Sequence, residues 1–285
     1  MRVNDLKSLL NECENPALLF YKLMPWFFLE RFTTDGEPKK KEVLEEFFRR
    51  LKYKNKDYKS ECPALEPSVK FRVKTAYRLA IGMGYPSLVE NGILLHHTYG
   101  LPYIPGETLK GLARHVFLLS LSEFLRGEKR LSSLEQDLME DKEPKDMPPS
   151  FKVVFSEFEV KKPYQTFQKL FGTLNKRGEI IFYDAYVKNP NPEELFEMDI
   201  MNPHYAPYYQ KDELPGDWHN PTPIHFLVVK EGVEFEVCLS YLPLNPTDID
   251  ESLLELAKEL LRVGLENFGV GGKKRKGYGW FEVVE

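Results

Sequence analysis

The chain has 285 residues, 42% of them hydrophobic and 29% charged, with a formal net charge of −5. That length suits one large domain with insertions or two small ones, and the acidic balance excludes a protein that is basic all over, so any nucleic-acid site must be regional. No apolar run approaches the roughly 20 residues of a spanning helix, and the opening Met1-Arg-Val-Asn-Asp-Leu-Lys7 lacks an apolar signal region, so the expectation is a cytoplasmic protein with no membrane contact.

Two helices are expected near the N-terminus. A short one lies near Asp5 to Cys13, and a second runs from about Lys40 to Lys52, where Val43, Leu44, Phe47, Phe48 and Leu51 recur at near-helical spacing. The aromatic-rich segment Leu18 to Phe32 lies between them, and residues 1–66 read as a docked helical extension. Arg49, Arg50, Lys52, Lys54, Lys56 and Lys59 are numerous enough to line a nucleic-acid path, but such a run is more often a solvated face.

After Pro63 and Pro67, Val69 to Ile81 begins by alternating Val69, Phe71 and Val73 with Lys70, Arg72 and Lys74, which predicts a half-buried strand. Gly82, Gly84 and Pro86 end it, and Gly92 to His97 is a short apolar piece. Pro105-Gly106 then turns the chain into a helix continuing through Leu118, Leu121 and Leu125, with Glu107 or Thr108 as its expected cap. The first turn of such a helix offers unpaired N–H groups and the positive end of a dipole to a phosphate. Lys110 and Arg114 stand four apart on one face beside it, and Gly111 keeps the surface between them low. An ordinary capped helix with solvated cations is the competing reading.

Ser132 to Pro149 is charged and then proline-bearing, part of an expected insertion at about 127–165. Val153 to Val160 alternates like a strand, Lys161 to Phe171 carries Lys161, Lys162 and Lys169, and Glu179 to Val187 reads as a strand in the body of the fold. Asp184 at its end reads as a turn or cap residue rather than a catalyst. Asn189 to Pro223 is loop-like, within a second expected insertion at about 188–223, and a loop of that length is usually functional or a partner contact. Ile224 to Val229 and Val233 to Tyr241 predict a hairpin turning at Lys230-Glu-Gly232. A helix starting at Asp248 or Asp250, with Leu253, Leu254, Ala257, Leu260, Leu261 and Leu265 on its apolar side, leads into a glycine-rich loop, and Trp280 to Val284 is the last strand. Strand, helix, strands, helix, strand is the split β-α-β-β-α-β plan. The expected fold class is therefore α+β: a ferredoxin-like (RNA-recognition-like) antiparallel sheet backed by helices over residues 67–285.

The loop reads Gly269-Val-Gly-Gly-Lys-Lys-Arg-Lys-Gly-Tyr-Gly279. Its glycines let a ligand approach the main chain, and Lys273, Lys274, Arg275 and Lys276 carry charge that no carboxylate in the loop cancels. A dinucleotide fingerprint needs a strand before and a helix after, the reverse of the order here, and a P-loop needs Ser or Thr where Lys274 stands. A cradle for some other polyanion remains. Cys13, Cys62 and Cys238 are an odd number, widely spaced, and read as core or surface thiols rather than a disulfide or zinc framework; no cofactor and no metal are expected.

Gly269-Val-Gly271, five residues, then Gly277-Tyr-Gly279 is similar to the C-terminal glycine-rich loop of the RAMP superfamily of CRISPR-associated proteins. Tyr103-Ile-Pro-Gly-Glu-Thr-Leu-Lys-Gly-Leu-Ala-Arg114 resembles the Pro-Gly-Ser-Ser-Leu-Lys-Gly entrance of its guide-RNA-binding backbone subunits, with Glu107 and Thr108 in place of the two serines. The aromatic stretch from His204-Tyr205 through Tyr208-Tyr209 and Asp217-Trp218 to Pro221, Pro223 and Ile224 resembles the sixth-subunit family of type III-B (Cmr) complexes. The resemblance covers residues 69–285. It implies a non-catalytic structural subunit that grips the 3′ region of the guide RNA. Its partners would be guide RNA, target RNA and the other Cmr subunits, both backbone and small. The RNA-binding set it implies is Gly106, Thr108, Lys110, Gly111 and Arg114 with Gly269, Gly271, Gly272, Lys273, Lys274, Arg275, Lys276, Gly277, Tyr278 and Gly279.

The rival from another class is a metal-independent endoribonuclease processing CRISPR transcripts, with His96, His97 or His115 as its base. No second acid–base group can be paired with these histidines from sequence. The loop Gly82 to Asn91 offers Glu90 but no aspartate where backbone ribonucleases of the superfamily carry one.

Overall fold

The structure is a computed structural model that describes residues 3–28, 39–52, 64–125, 131–188, 190–203, 208, 214, 218, 220–245 and 250–284. Its helices are α1 (Val3–Glu12), α2 (Lys40–Arg50), α3 (Gly106–Phe124), α4 (Leu131–Met139), α5 (Pro163–Phe171) and α6 (Ser252–Asn267). Its strands are β1 (Ser68–Thr75), β2 (Tyr103–Ile104), β3 (Ser150–Lys152), β4 (Glu159–Lys161), β5 (Ile180–Phe182), β6 (Ala185–Val187), β7 (Phe196–Met201), β8 (Ile224–Val229), β9 (Glu234–Tyr241) and β10 (Phe281–Val284). Lys54, Lys56, Lys59, Cys62 and most of the aromatic stretch from His204 to Trp218 lie outside the described residues.

The chain forms two compact units. One gathers Met1–Lys59, Arg78–Pro102 and Asn189–Val233; the other gathers Ser60–Tyr77, Tyr103–Lys188 and Glu234–Glu285. The N-terminal helices thus share a unit with two later segments.

The second unit holds the main sheet, ordered β10-β1-β9-β6-β2 with β5 also on β9, and every pairing is antiparallel. The alternation read in β1 is present: Phe71, Val73 and Thr75 are buried while Lys70, Arg72 and Lys74 are not. β9 is the central strand, pairing β1 on one side and β5 and β6 on the other, with Phe235, Val237, Leu239 and Tyr241 buried. Helices α3 and α6 close the core, so tightly that a Cβ on Gly264 of α6 would stand 2.6 Å from Cγ of Leu112 on α3. Arg72, Lys74 and Lys188 are paired across strands with Glu234 at 3.3 Å, Glu282 at 3.0 Å and Glu236 at 2.6 Å.

Several expectations need correction. β1 ends at Thr75 rather than Ile81, because Ala76 donates to the Trp280 carbonyl at 2.9 Å and the chain then leaves the sheet. Glu179 to Val187 is two short strands broken at Tyr183 and Asp184. Of the stretch Val153 to Val160, Val153 to Phe158 is a turn between β3 and β4, with Phe155 at φ +57°, and only Glu159 and Val160 are in a strand. The predicted 224–241 hairpin does not form. Gly232 does turn, at φ +81°, but β8 pairs with β7 and β9 with the main sheet. The segment read as loop from Asn189 onward therefore contains a strand, hidden by its flanking prolines and asparagines.

In the first unit, α2 packs on the β7–β8 ribbon. Phe47 is fully buried, its ring 5.4 Å from Phe20 and 6.3 Å from Phe196. Asn15 caps the turn Pro16–Leu18 and donates to the carbonyls of His97 and Thr98 at 3.2 and 2.8 Å. Arg49 and Arg50 both pair with Glu46, and Arg50 lies over the Phe27 ring at 4.9 Å. These cations are tied into the unit's own structure. Cys13 and Cys238 are buried thiols, with burial holding the Cys13 thiol above its ordinary range.

Phe196→Ala should lower unfolding free energy by about 3–5 kcal/mol, the usual cost of emptying a buried phenylalanine site, in a urea titration. A loss under about 1 kcal/mol, within the range of surface substitutions, would contradict a buried β7.

Candidate nucleic-acid interface

Helix α3 begins at Gly106 with Pro105 before it and no cap from its own sequence. The cap expected from Glu107 or Thr108 is supplied instead by Asp184, whose Oδ1 accepts the Gly106 N–H at 2.7 Å across the break between β5 and β6. Thr108 and Leu109 donate to the Pro105 carbonyl at 2.9 and 3.1 Å. Gly106 is buried, and a Cβ there would lie 2.1 Å from the Phe182 carbonyl oxygen. A carboxylate of the protein thus sits on the Gly106 N–H, one of the groups expected to face a phosphate. Asp184 is read correctly as a cap, but its partner, 78 residues away, was not visible in the sequence.

The cations one turn on differ from each other. Arg114 pairs with Glu135 of α4 at 3.0 Å. Lys110 has no acidic partner among the described residues, and burial, with the Arg114 charge adding to it, holds its ammonium below the usual lysine range. Above Gly111 there is open space: a Cβ would meet nothing within 4 Å. A glycine inside a helix costs stability relative to alanine, and none of the described residues packs where a Cβ would stand here.

The glycine loop is a closed device rather than a loose run. Its neck is joined by the Val270 N–H donating to the Gly279 carbonyl at 2.8 Å. Gly269 and Gly279 have φ of +66° and +73°, and a Cβ on Gly279 would fall 1.8 Å from the Val270 carbonyl oxygen. No side chain fits. At the tip, Lys273 takes a left-handed conformation and a 3-10 turn, Lys274–Lys276, follows, closed by Lys276 donating to the Lys273 carbonyl at 2.8 Å and Gly277 to that of Lys274 at 3.0 Å. Gly271 and Gly277 take φ of +83° and +91°, which glycine alone adopts freely. Lys274, Arg275 and Lys276 are exposed and have no carboxylate partner among the described residues. Tyr278 is buried, its ring 5.4 Å from that of Tyr77, so it anchors the loop.

The entrance helix and the loop meet at one point. His115, next after Arg114, lies 5.7 Å edge-to-face from Phe268, the residue before Gly269. The other histidine candidates are elsewhere. His96 accepts the Tyr99 N–H through Nδ1 at 3.3 Å and stacks on its ring at 4.7 Å within a tight turn, while His97 is exposed. Glu90 pairs with Lys40. Among the described residues no cluster of three His, Cys, Asp or Glu side chains is placed to hold a metal, and no helix is long and apolar enough to cross a membrane.

Comparison with known proteins bears on this geometry. The RAMP superfamily signature matches residues 72–282. A Pyrococcus furiosus protein named CRISPR system Cmr subunit Cmr6 is 36% identical over 234 residues, which is 73% of this chain and 66% of that protein. A Saccharolobus solfataricus protein named CRISPR system CMR subunit Cmr6 is 23% identical over 282 residues, 97% of this chain and 75% of that one. The crystal structure of Cmr6 from Pyrococcus furiosus superposes with a TM-score of 0.52 at 34% identity, covering 76% of this chain and 98% of that one. A chain of the type III-B Cmr-beta complex, solved bound to cognate target RNA, shares the fold with a TM-score of 0.61 at 17% identity, over 99% of this chain and 95% of that one.

Two outcomes distinguish structural from ligand-facing positions. Gly279→Ala should cost several kcal/mol by denaturant titration, since neither the φ nor the neck admits a Cβ, whereas Gly111→Ala should stabilise the free chain by about 0.5–1 kcal/mol. Lys110→Met should raise the melting temperature at pH 7, because the folded state holds a charge it disfavours. That gain should shrink as pH rises through the lowered Lys110 pKa and vanish above the unfolded value near 10.5; a gain that grew with pH would refute the assignment.

Proposed function

Because the chain belongs to the RAMP superfamily, we propose that it is a non-catalytic RNA-binding subunit of a type III-B CRISPR (Cmr) ribonucleoprotein in antiviral defence. It grips the backbone of the guide RNA in its 3′ region. The single observation that carries this reading is the exposed 3-10 turn of Lys274, Arg275 and Lys276, held on a neck that glycine alone can form. Backbone contacts of this kind hold any sequence, as a carrier of variable guides requires. The Pyrococcus furiosus relative's name and the target RNA in the Cmr-beta structure support the assignment to such a complex, with guide RNA, target RNA and the other Cmr subunits as partners and the cytoplasm as its place.

The sheet order β10-β1-β9-β6, with α3 following β1 and α6 following β9, supports a ferredoxin-like core, the finer fold reading. We read residues 67–285 as that core, carrying insertions at about 127–165 and 188–223, and residues 1–66 as an extension. The RNA path runs over Lys110, Gly111 and the loop tip. Gly106, Gly269, Tyr278 and Gly279 shape it, and Arg114 joins it by exchanging Glu135 for a phosphate.

The test is RNA affinity against salt for the purified chain and for the combined Lys274→Ala, Arg275→Ala, Lys276→Ala variant. For single strands each phosphate contact contributes about 0.7 to the log–log slope, so the variant's slope should be shallower by about 1–2. An unchanged slope would remove the loop from the RNA path. Incubating the chain with labelled repeat RNA, with and without metal, tests the enzymatic alternative: specific cleavage abolished by His96→Ala or His97→Ala would replace the scaffold reading.

A further inference from the structure

We propose that Phe155, Phe268 and His115 form a stacking platform for one unpaired base of the RNA whose phosphates the Lys274–Lys276 turn holds; this deepens the RNA-binding reading and rests on it. Phe155 is 71% exposed at the tip of the β3–β4 hairpin, with φ +57°. Large side chains do not ordinarily adopt that backbone state, and where they do it is commonly at a functional site. Its ring lies 6.2 Å from Phe268, tilted at 51°, and Phe268 lies 5.7 Å from the exposed His115. Three aromatic rings therefore adjoin at the surface.

The hairpin that presents Phe155 is fixed from both sides. The Ser156 hydroxyl donates to Glu259 of α6, and Glu259 is itself held by Arg262 through contacts of 2.7 and 2.8 Å. On the other side of Phe155, Val154 donates to the Ser120 hydroxyl of α3 at 3.1 Å. The exposed ring is thus positioned in advance. What it meets is indicated by the chain on either side. Phe268 leads directly into the glycine loop, whose exposed Lys274, Arg275 and Lys276 follow within eight residues, and His115 follows Arg114. Aromatic faces with cations in the adjoining chain are the composition of a site for single-stranded nucleic acid, where bases stack and phosphates pair, and the carboxylates nearby are already engaged, Glu259 and Glu266 by Arg262 and Glu157 by Lys152. A flat base satisfies the rings without regard to sequence, and stacking adds a fixed register to a grip that charge alone would let slide.

The experiment uses the full chain and a single-stranded RNA carrying 2-aminopurine. Phe155→Leu, which keeps an apolar side chain but not the flat ring, should weaken binding about tenfold, leave the salt slope unchanged and abolish quenching of the probe; Phe155→Trp should restore both. Phe155→Asn, suited to a left-handed backbone, should lose the same affinity while its melting temperature is unchanged or higher, separating the effect from misfolding. Wild-type affinity and quenching in Phe155→Leu, with affinity lost in the triple loop variant, would overturn the platform and leave the RNA reading standing. A wild-type chain that binds no RNA would overturn both.

Discussion

The hydrogen-bonded centre of the main sheet is β9, and the candidate site depends on it from two directions. On one side it pairs with β1, whose other edge carries β10, the strand that closes the glycine loop. On its other side it pairs with β5 and β6, and the break between those two aims Asp184 at the start of α3. Loop and helix are therefore positioned by opposite flanks of one buried strand. Its inward residues Phe235, Val237 and Leu239 leave no room for a shift, and a slip of one residue would exchange them for Glu234, Glu236 and Cys238.

Charge placement, not net charge, separates the faces of this unit. The strands carry Arg72, Lys74 and Lys188, yet each is matched by a glutamate, so that part of the surface offers a polyanion little. The turn Lys274–Lys276 and Lys110 are different: these cations have neighbours of the same sign and no acidic partner among the described residues. A chain of net charge −5 can thus hold a local demand for negative charge. Among the described residues nothing lies within 4 Å of a Cβ placed on Gly111, so the helix surface beside Lys110 is open.

Much of this was legible in the sequence because the signals were local. The alternation in β1, the apolar stripe of α6 and the glycine spacing from Gly269 to Gly279 each follow from neighbours within a few residues. The failures share a different cause. The pairing of β8 with β7 rather than β9 depends on a partner strand inside a proline-rich stretch, and the capping of α3 depends on Asp184 rather than on Glu107 or Thr108. The alternation from Val153 to Val160 suits a strand, but Ser120 and Glu259, distant in sequence, hold Val154 and Ser156 in a turn before β4 begins at Glu159. Local pattern says which residues want burial; it does not say which partner supplies it. Phe155 was missed for that reason: within Val153-Val-Phe-Ser-Glu-Phe-Glu-Val160 it reads as one more apolar residue of a strand.

The register of β1 has a consequence for how the chain acquires its shape. Ser68 faces Ser240 and Arg72 faces Val284, so β1 lies between two strands made long after it. During synthesis, at about 5–20 residues per second, the strand emerges and then waits on the order of ten seconds or more with both edges unpaired. The three cations along it, Lys70, Arg72 and Lys74, keep it soluble during that interval, since charge on an open strand edge discourages pairing with another chain. Arg72 and Lys74, which glutamates neutralise in the finished sheet, serve first as protection for a strand that has no sheet yet.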